Sequence, residues 1–577
     1  MKGAFSLIAA ALFLGLVLCA GPVPAAPPDA GQILNQQRRP DVRLPDRLPR
    51  DDQKEAVQPP MKDTGTKVLV RQFRFSGQQG LATEAELQVL LSESVGKELG
   101  FAELQLLAER ITAFLRHQKG YLLARAYLPA QEIVDGIVEI AVIAGKIDGS
   151  PRIRVREPRR ISRHLLEKIA EKAIPRESAL RMENLERGVL LMNDLPGISS
   201  HASLEPGTAS GSTRVGIDVA EGPLLGGMIS GDNYGDRYTG AWRGIAQATA
   251  ADPSGFGDQL NLGIMAAEHM VQGSAAYALP VGATGLNWSV SYTGLQYELG
   301  KDLASLDAEG RADNVATSLA YPILRSRKKS LWTGLGFEYI RLEDEAAGAA
   351  TSERHLSVGN ATLFGNFLDT FGGGGMINAG LTVYYGNLDL EDIAGAQARD
   401  DAGPGSAGSF FRATYSLARL QRLTRSISLF GAIRGQFAGG NLDSSQTFIL
   451  GGPTGVRAYP VGEASGDEGH AVTFETRFDL PVAPAGNSVQ LVGFIDTGWV
   501  RQHKDPWTAS VTNATGRNDY WLSGGGLGVV IGKAGRYSIR AAYAHKIGDN
   551  PGRSTAGNDA DNLDNDGRFW LQTVIWF

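Results

Sequence analysis

Leu286-Asn287-Trp288-Ser289-Val290-Ser291-Tyr292-Thr293 alternates without a fault. Leu286, Trp288, Val290 and Tyr292 make one face apolar, and Asn287, Ser289, Ser291 and Thr293 make the other polar. A period of two marks an extended strand with one wetted face. The pattern returns in Tyr537, Ile539, Ala541 and Tyr543, which alternate with Ser538 and Arg540. It ends the chain in Phe569, Leu571, Thr573, Ile575 and Phe577. Strands of about ten or more residues, apolar outside and polar inside with aromatics near their ends, point to a membrane barrel. A soluble sandwich has shorter strands and turns its apolar face inward.

About 16 such segments start near residues 224, 237, 257, 270, 285, 312, 329, 354, 374, 408, 425, 470, 488, 519, 535 and 568. Their connections alternate in length. Residues 299–311, 344–353, 389–407, 439–469, 502–518 and 548–567 are long, whereas 282–284, 324–328, 423–425, 482–487 and 533–534 are short. Outer-membrane barrels show this asymmetry, with long outer loops and short periplasmic turns. An even strand count keeps both barrel ends on the periplasmic side, and about 16 strands enclose a lumen wide enough for an aqueous, porin-like channel.

Composition agrees. Glycine supplies 73 of 577 residues, about 13% against a usual roughly 7%. Residues 1–223 hold 19 of them and 224–577 hold 54, with no Gly-X-Y period. Small residues ease tight turns and bends in a barrel wall. With 43% hydrophobic and 20% charged residues the chain is not globally disordered. A net charge of −6 and a pI near 5.9 argue against a protein that neutralises nucleic-acid phosphates.

Met1–Lys2 is positive, Phe5–Ala20 is apolar, and Val23-Pro24-Ala25 offers small residues for cleavage, so residues 1–25 read as a secretory signal peptide. The one cysteine, Cys19, lies inside it, and Leu18 before it is wrong for a lipoprotein. Without the leader, no thiol remains for a disulfide, a redox step or a metal. No later stretch reaches about 18 apolar residues, so a membrane crossing would use strands.

Residues 26–65 are proline-rich: Asp29 caps a short helix, Ala30–Arg39, before Pro40, Pro45, Pro49, Pro59 and Pro60 forbid regular structure. Residues 66–149 read as a strand (Val68, Val70, Phe73, Phe75), helices Thr83–Leu99 and Ala102–Gln118, and strands Tyr121–Leu128 and Ile137–Ile143. That order gives a small α/β layer. Residues 150–222 repeat it: strand Ile153–Arg156, helices Arg163–Lys172 and Arg181–Leu191, and strands near Ser200–Leu204 and Arg214–Ala220. The sheet edge of such a unit accepts an extended peptide. The run Arg152, Arg154, Arg156, Arg159, Arg160, Arg163 is either a solvated face or a docking surface for an acidic or polar client. The barrel takes residues 223–577.

Enzyme-like motifs dissolve. Leu527–Ala534 imitates a phosphate loop around Gly532-Lys533 but lacks its first glycine and its Ser/Thr. Asn562, Asp564, Asp566 and Gly567 imitate a calcium loop whose twelfth position is Thr573 instead of Glu; weak calcium binding near 559–567 stays open. The eight histidines share no ligand spacing, and no Ser/His/Asp set can be assembled. The chain reads as a non-enzyme, with no metal and no cofactor.

One polar constellation remains. Loop 439–469, the sixth and longest on the outer side, carries Val456-Arg457-Ala458-Tyr459. The next strand sets Glu475, Arg477 and Asp479 opposite Phe474, Phe478 and Leu480, and the one after it sets Asp496 opposite Ile495 and Trp499. Charges on the lipid face are costly, so these four point inward. Either Arg457 folds inside and pairs with such a carboxylate, pinning the loop, or the charges line a wet pore and Arg457 sits in solvent.

The Gly31-Gln32-Ile33-Leu34 helix with its tether, the tandem α/β units, Leu195-Pro196-Gly197 and Leu204-Glu205-Pro206-Gly207-Thr208 form one set of familiar pieces. Val456-Arg457-Ala458-Tyr459, Phe494-Ile495-Asp496 and terminal Phe577 form another. Together they resemble the outer-membrane transporters of two-partner secretion, the hemolysin secretion/activation type with POTRA domains and a 16-stranded barrel. The resemblance implies a POTRA pair that captures an unfolded exoprotein in the periplasm and a barrel that exports it to the cell surface. It implies that the helix near 30–39 occupies the lumen at rest, that Arg457 locks its loop against Asp496 on the barrel wall, and that Phe577 is a barrel-assembly signal. The implied partners are a large secreted β-rich exoprotein of adhesin or hemolysin type, outer-membrane lipids, periplasmic chaperones and the barrel-assembly machinery, and no nucleic acid. The family usually reads V-R-G-Y; Ala458 departs from it and lacks glycine's freedom at positive φ. A barrel-protein or autotransporter assembly factor shares most of these features and is the alternative.

Overall fold

The computed structural model describes residues 27–38, 67–156, 160–174, 179–208, 212–390, 393–481 and 486–577; the leader and the proline-rich tether after Arg38 lie outside the described residues. Sixteen antiparallel strands close into a barrel. They are β1 (Leu225–Asp232), β2 (Arg243–Ala251), β3 (Gln259–Ala267), β4 (Met270–Pro280), β5 (Asn287–Glu298), β6 (Ala308–Arg325), β7 (Lys329–Ala346) and β8 (Ala349–Asp369). Then follow β9 (Gly375–Asp389), β10 (Gly408–Arg422), β11 (Ile427–Ala438), β12 (Glu468–Asp479), β13 (Ser488–Arg501), β14 (Asp519–Lys533), β15 (Tyr537–Lys546) and β16 (Gly567–Trp576). Each pairs with its sequence neighbour, and β1 closes on β16 from Met228↔Trp576 to Asp232↔Gln572. Closure satisfies the backbone with no open edge in the membrane.

Alternation sorts the faces. Leu262, Val271, Leu335, Leu381, Ile495 and Leu527 stand exposed on the outside, with Tyr385, Phe411, Trp521 and Tyr543 toward the outer strand ends. Two expectations need correction here. β2 starts at Arg243, not near 237, because residues 233–242 form the first outer connection. Residues 344–353 are not a long loop. β7 and β8 run on to Ala346 and Ala349, and only Ala347-Gly348 joins them, at φ 50° and 72°. Strands of 18 and 21 residues overshoot the roughly ten needed to span the membrane. Polar residues on both faces near this tip (Glu343, Asp344, Glu345) hide the alternation there.

In the first α/β unit Gln72–Ser76 lies parallel to Ile137–Ile143, which pairs antiparallel with Arg125–Tyr127. The expected helix Thr83–Leu99 is shorter. Thr83 caps it in a reciprocal box with Glu86, but it stops at Leu91, and Glu98–Gly100 becomes a strand on Lys67–Leu69. Gly96, at φ 84°, makes the reversal between them. The expected helix Ala102–Gln118 runs from Phe101 to Ala113 and widens into a π turn, and the strand expected over Tyr121–Leu128 contracts to Arg125–Tyr127. In the second unit Ser212–Glu221 is central, flanked by Ile198–Pro206 antiparallel and Arg152–Val155 parallel. Arg154 of the arginine run is engaged by Asp218 at 2.8 Å and by Glu205.

This second unit is fastened beneath β2–β7. Ser162 N donates to Gly255 O at 2.7 Å, and Arg187 donates to Pro322 O at 3.0 Å. Arg325 grips both oxygens of Asp194 at 2.8 and 2.6 Å. Ala283, in the turn between β4 and β5, is buried in the unit's own core.

Candidate functional site: the occupied lumen

The helix α1 (Ala30–Gln37) stands inside the barrel. Asp29 caps it, accepting from Gln32 N at 2.8 Å. Its apolar face, Ala30, Ile33 and Leu34, joins Met265, Leu295, Ala312, Ile340 and Leu342 of the inner wall in one buried cluster. Polar anchors ring this seat. Arg354 reaches Asp29 at 3.1 Å, Asp344 at 2.9 Å and Asp443 at 2.7 Å. Ala30 N donates to Asp344 Oδ1 at 2.7 Å, Asn35 donates to Thr447 O at 2.7 Å, and Arg38 meets Glu338 at 3.0 Å. The helix ends at Gln37, short of the expected Arg39.

The sixth outer loop, residues 439–467, also folds inward. Phe448–Ile449 pairs with Ser465–Gly466, and Val456, Ala458 and Tyr459 at the tip are fully buried. They pack among Leu450, Phe494, Tyr520, Leu522 and Ala544. The polar-inside expectation therefore holds only where the wall meets open lumen. Where the helix and the loop cover it, the wall is a protein core and is apolar for the same reason as any core.

Arg457 Nε and Nη2 donate to Asp496 Oδ2 and Oδ1 at 2.7 and 2.8 Å, and Nη1 donates to Glu475 Oε1 at 2.8 Å. The guanidinium lies 3.5 Å from the centre of the Phe494 ring. Arg457 N also donates to Asp496 Oδ2 at 3.2 Å, and its carbonyl accepts from Trp570 Nε1 at 2.7 Å. Arg477 Nε donates to Glu475 Oε2 at 2.9 Å, and Thr473 Oγ1 to Asp496 Oδ1 at 2.9 Å. Asp479 stands apart and accepts from Gln490 at 3.0 Å. Ala458 is not at positive φ; the loop's positive-φ residues are Gly452, Gly462 and, alone among its non-glycine residues, Ala464 at 55°. The Ala458 Cβ instead abuts Gly524, where a second Cβ has no room. Phe577 N donates to Gly227 O at 3.1 Å and its carbonyl accepts from Gly227 N at 3.0 Å, extending the β1–β16 ladder.

The sequence reading missed Arg354 and its carboxylates. The available signal was its inward parity with Leu356 and Val358, since a charge on a buried face requires a partner. It also missed the buried acids of the outer loops. Glu463 accepts from Asn550 Nδ2 at 2.9 Å and Ala560 N at 2.6 Å; burial, then the nearby Asp559 charge, pushes its carboxyl up to about 7. Burial raises Asp236, in the first outer connection, to about 6. In the acidic segment near 559–567, Asp559 holds Lys546 at 2.8 Å, and Asp561 holds Arg568.

A closed 16-stranded barrel with a helix in its lumen and POTRA-type units at its periplasmic mouth is an outer-membrane transporter architecture. A family model described as haemolysin secretion/activation protein ShlB/FhaC/HecB matches residues 211–530, and a POTRA domain model of ShlB type matches 68–145. The chain belongs to this family of two-partner secretion transporters, located in the outer membrane and acting with a secreted exoprotein. It is 28% identical over 592 residues to the heme/hemopexin transporter protein HuxB of Haemophilus influenzae strain 86-028NP, with 100% of both chains covered. It is 23% identical over 433 residues to the outer membrane transporter CdiB of Dickeya dadantii strain 3937, covering 72% of each. The fold is similar to that of CdiB from Escherichia coli, with a TM-score of 0.68 and 18% identity over 90% of this chain and 93% of that one. CdiB from Acinetobacter baumannii gives a TM-score of 0.60 at 15% identity, covering 99% and 97%.

Proposed function

We propose that this transporter receives its exoprotein unfolded, through the sheet edges of the POTRA units, and passes it as an extended chain through the barrel lumen. The exposed edge of Ile198–Pro206 suits such capture by strand addition. At rest α1 fills the outer half of the lumen, and Arg457 locks the sixth loop to Asp496 and Glu475. Folding of the client outside removes unfolded chain from the equilibrium and makes movement net outward. The observation that carries this reading is α1 itself: a segment from the far N-terminal end is seated in the lumen by side-chain contacts that can be undone without breaking a barrel strand. An assembly factor for other barrels has no evident need of such a removable seat. Deleting residues 29–39 should raise single-channel conductance in planar bilayers; unchanged conductance would mean that α1 does not obstruct the pore.

A further inference from the structure

The lumen has two unlike walls. From Pro322 outward to the seat of α1, the inner faces of β3–β6 carry no charged residue; they present Gln259, Asn261, Gln272, Ser274, Ser291 and Asn314 among alanines and glycines. Charges on these strands, such as Arg311 and Asp313, face outward, where Asp313 also takes the Tyr292 hydroxyl. The inner faces of β11–β15, in contrast, bear Arg434, Glu475, Arg477, Asp496, Arg540 and Lys546, and the sixth loop is folded over much of that side.

We propose that the exported chain runs along the uncharged wall of β3–β6 while the sixth loop keeps its place on the charged wall; this rests on the export reading above. Three observations converge on that path. Its periplasmic end is where the second POTRA-type unit is fastened, at Gly255 and Ala283 in the turns of these strands and at Pro322 near the end of β6. Its outer end is the apolar seat of α1, at Met265, Leu295 and Ala312, so removing the helix uncovers this wall. Beside that seat Gln272 Oε1 and Asn314 Oδ1 are buried acceptors with no donor among the described residues. An extended polypeptide offers a backbone N–H at every residue and can satisfy them in passing.

The chemistry suits transit better than retention. A neutral hydrogen bond to a side-chain amide or hydroxyl is weak in net terms and easily exchanged. A charged wall of low dielectric would hold opposite charges and reject like ones, so each ionic residue of the client would meet a trap or a barrier. The occupant that fits is an extended, largely uncharged polypeptide of hydroxyl, amide and small residues.

The cysteine-free barrel makes the path measurable by single-cysteine chemistry in the full chain, with Ile33→Asp and Leu34→Asp to unseat α1. The probe is a synthetic uncharged Ser/Thr/Asn/Gly peptide of about 25 residues, long enough to cross the barrel when extended, with an activated disulfide at its centre. Cysteines replace Ser274 or Ser291 on one wall and, on the other, Ser538 of β15 or Gln572 of the adjoining β16, opposite Arg540, and each peptide rate is normalised to that of a small neutral thiol reagent. Adducts should form roughly fivefold faster at 274 and 291, about one neutral hydrogen bond of preference. Equal rates on both walls, or faster reaction at 538 and 572, would overturn the assigned path. Reaction of every cysteine with the small reagent but none with the peptide would overturn the lumen as a polypeptide conduit, and the path with it.

Discussion

Arg457→Ala tests the loop seat most directly. The substitution removes three charge-assisted hydrogen bonds and a guanidinium stacked on Phe494, and leaves Asp496, 1% exposed, without its cation. Breaking a buried pair in this way costs about 3–5 kcal/mol. The lower end applies here, because Glu475 keeps Arg477, and Asp496 keeps the Thr473 hydroxyl and the backbone N–H of residue 457. About 3 kcal/mol shifts the docked–released equilibrium of the loop by roughly a hundredfold. Hydrogen exchange reads that shift at Gly451 N, bonded to Glu463 O at 2.9 Å, and Val456 N, bonded to Leu450 O at 2.8 Å. Both amides should exchange about a hundredfold faster, by the same equilibrium shift, while barrel-strand amides stay protected. Adding Asp496→Asn removes the stranded charge and should recover part of the protection, whereas Arg457→Lys keeps a charge but loses the fork and should fall between. Unchanged exchange at 451 and 456 in Arg457→Ala would show that the apolar tip alone seats the loop, and the reasoning from the ion pair would be wrong.

Other substitutions probe separate contacts. Gly524→Ala places a Cβ against that of Ala458 with the His545 carbonyl 3.1 Å away, so the loop should lose roughly 1–3 kcal/mol of docking and exchange faster at 456; normal protection would mean that the wall yields. Glu463 carries the pH prediction. Its carboxyl is raised from 4.5 to about 7 in the docked loop, so docking is fully stable below about 4.5 and weakens as pH rises toward 7. The loss approaches roughly 3 kcal/mol above that range. Loop exchange, corrected for its intrinsic pH dependence, should rise between pH 5 and 8 (about that interval), and Glu463→Gln should remove the Glu463 share, leaving that of Asp467 at the loop root, which burial also raises to about 7. Arg325→Ala removes the paired bonds to Asp194, and should increase protease access at the junction of the second POTRA-type unit and the barrel without lowering barrel heat stability; simultaneous loss of both would assign Arg325 to the barrel itself.

The barrel was legible because each spanning strand must present an apolar face to lipid, and that requirement writes a period of two into residues such as Trp288, Val290 and Tyr292. Legibility failed where lipid contact ends. Beyond Arg341 and before Glu353 both faces are wetted or buried in protein, so the alternation that reported the strand disappears while the backbone pairing continues. The helix Thr83–Leu99 was over-extended for a related reason: leucines at helical spacing persist through residue 99, but Gly96 reverses the chain and gives Leu99 to a strand. At the candidate site, the inward parity of Glu475 and Asp496 followed from the cost of charge in lipid, so their availability to Arg457 was readable. Asp29 and Asp443 as partners of Arg354 were not, because that pairing depends on where a distant helix and a folded loop come to rest.

Those two inserted segments share a foundation. Arg354 on β8 holds the cap of α1 through Asp29 and the root of the sixth loop through Asp443, while Ser444 Oγ donates to Asp29 Oδ1 at 2.7 Å. The tip of the same loop is held elsewhere, by Asp496 on β13 and Trp570 on β16. Freeing the tip therefore leaves the root and the helix in place, and freeing the helix leaves the tip in place. The resting lumen is closed by two separable seats joined at one arginine. Three carboxylates around one buried guanidinium leave an excess of negative formal charge, so withdrawing Asp29 alone relieves like-charge crowding at the loop root without touching the tip. Under the export reading proposed above, release of α1 comes first and opens the outer half of the lumen while the loop remains folded against the opposite wall.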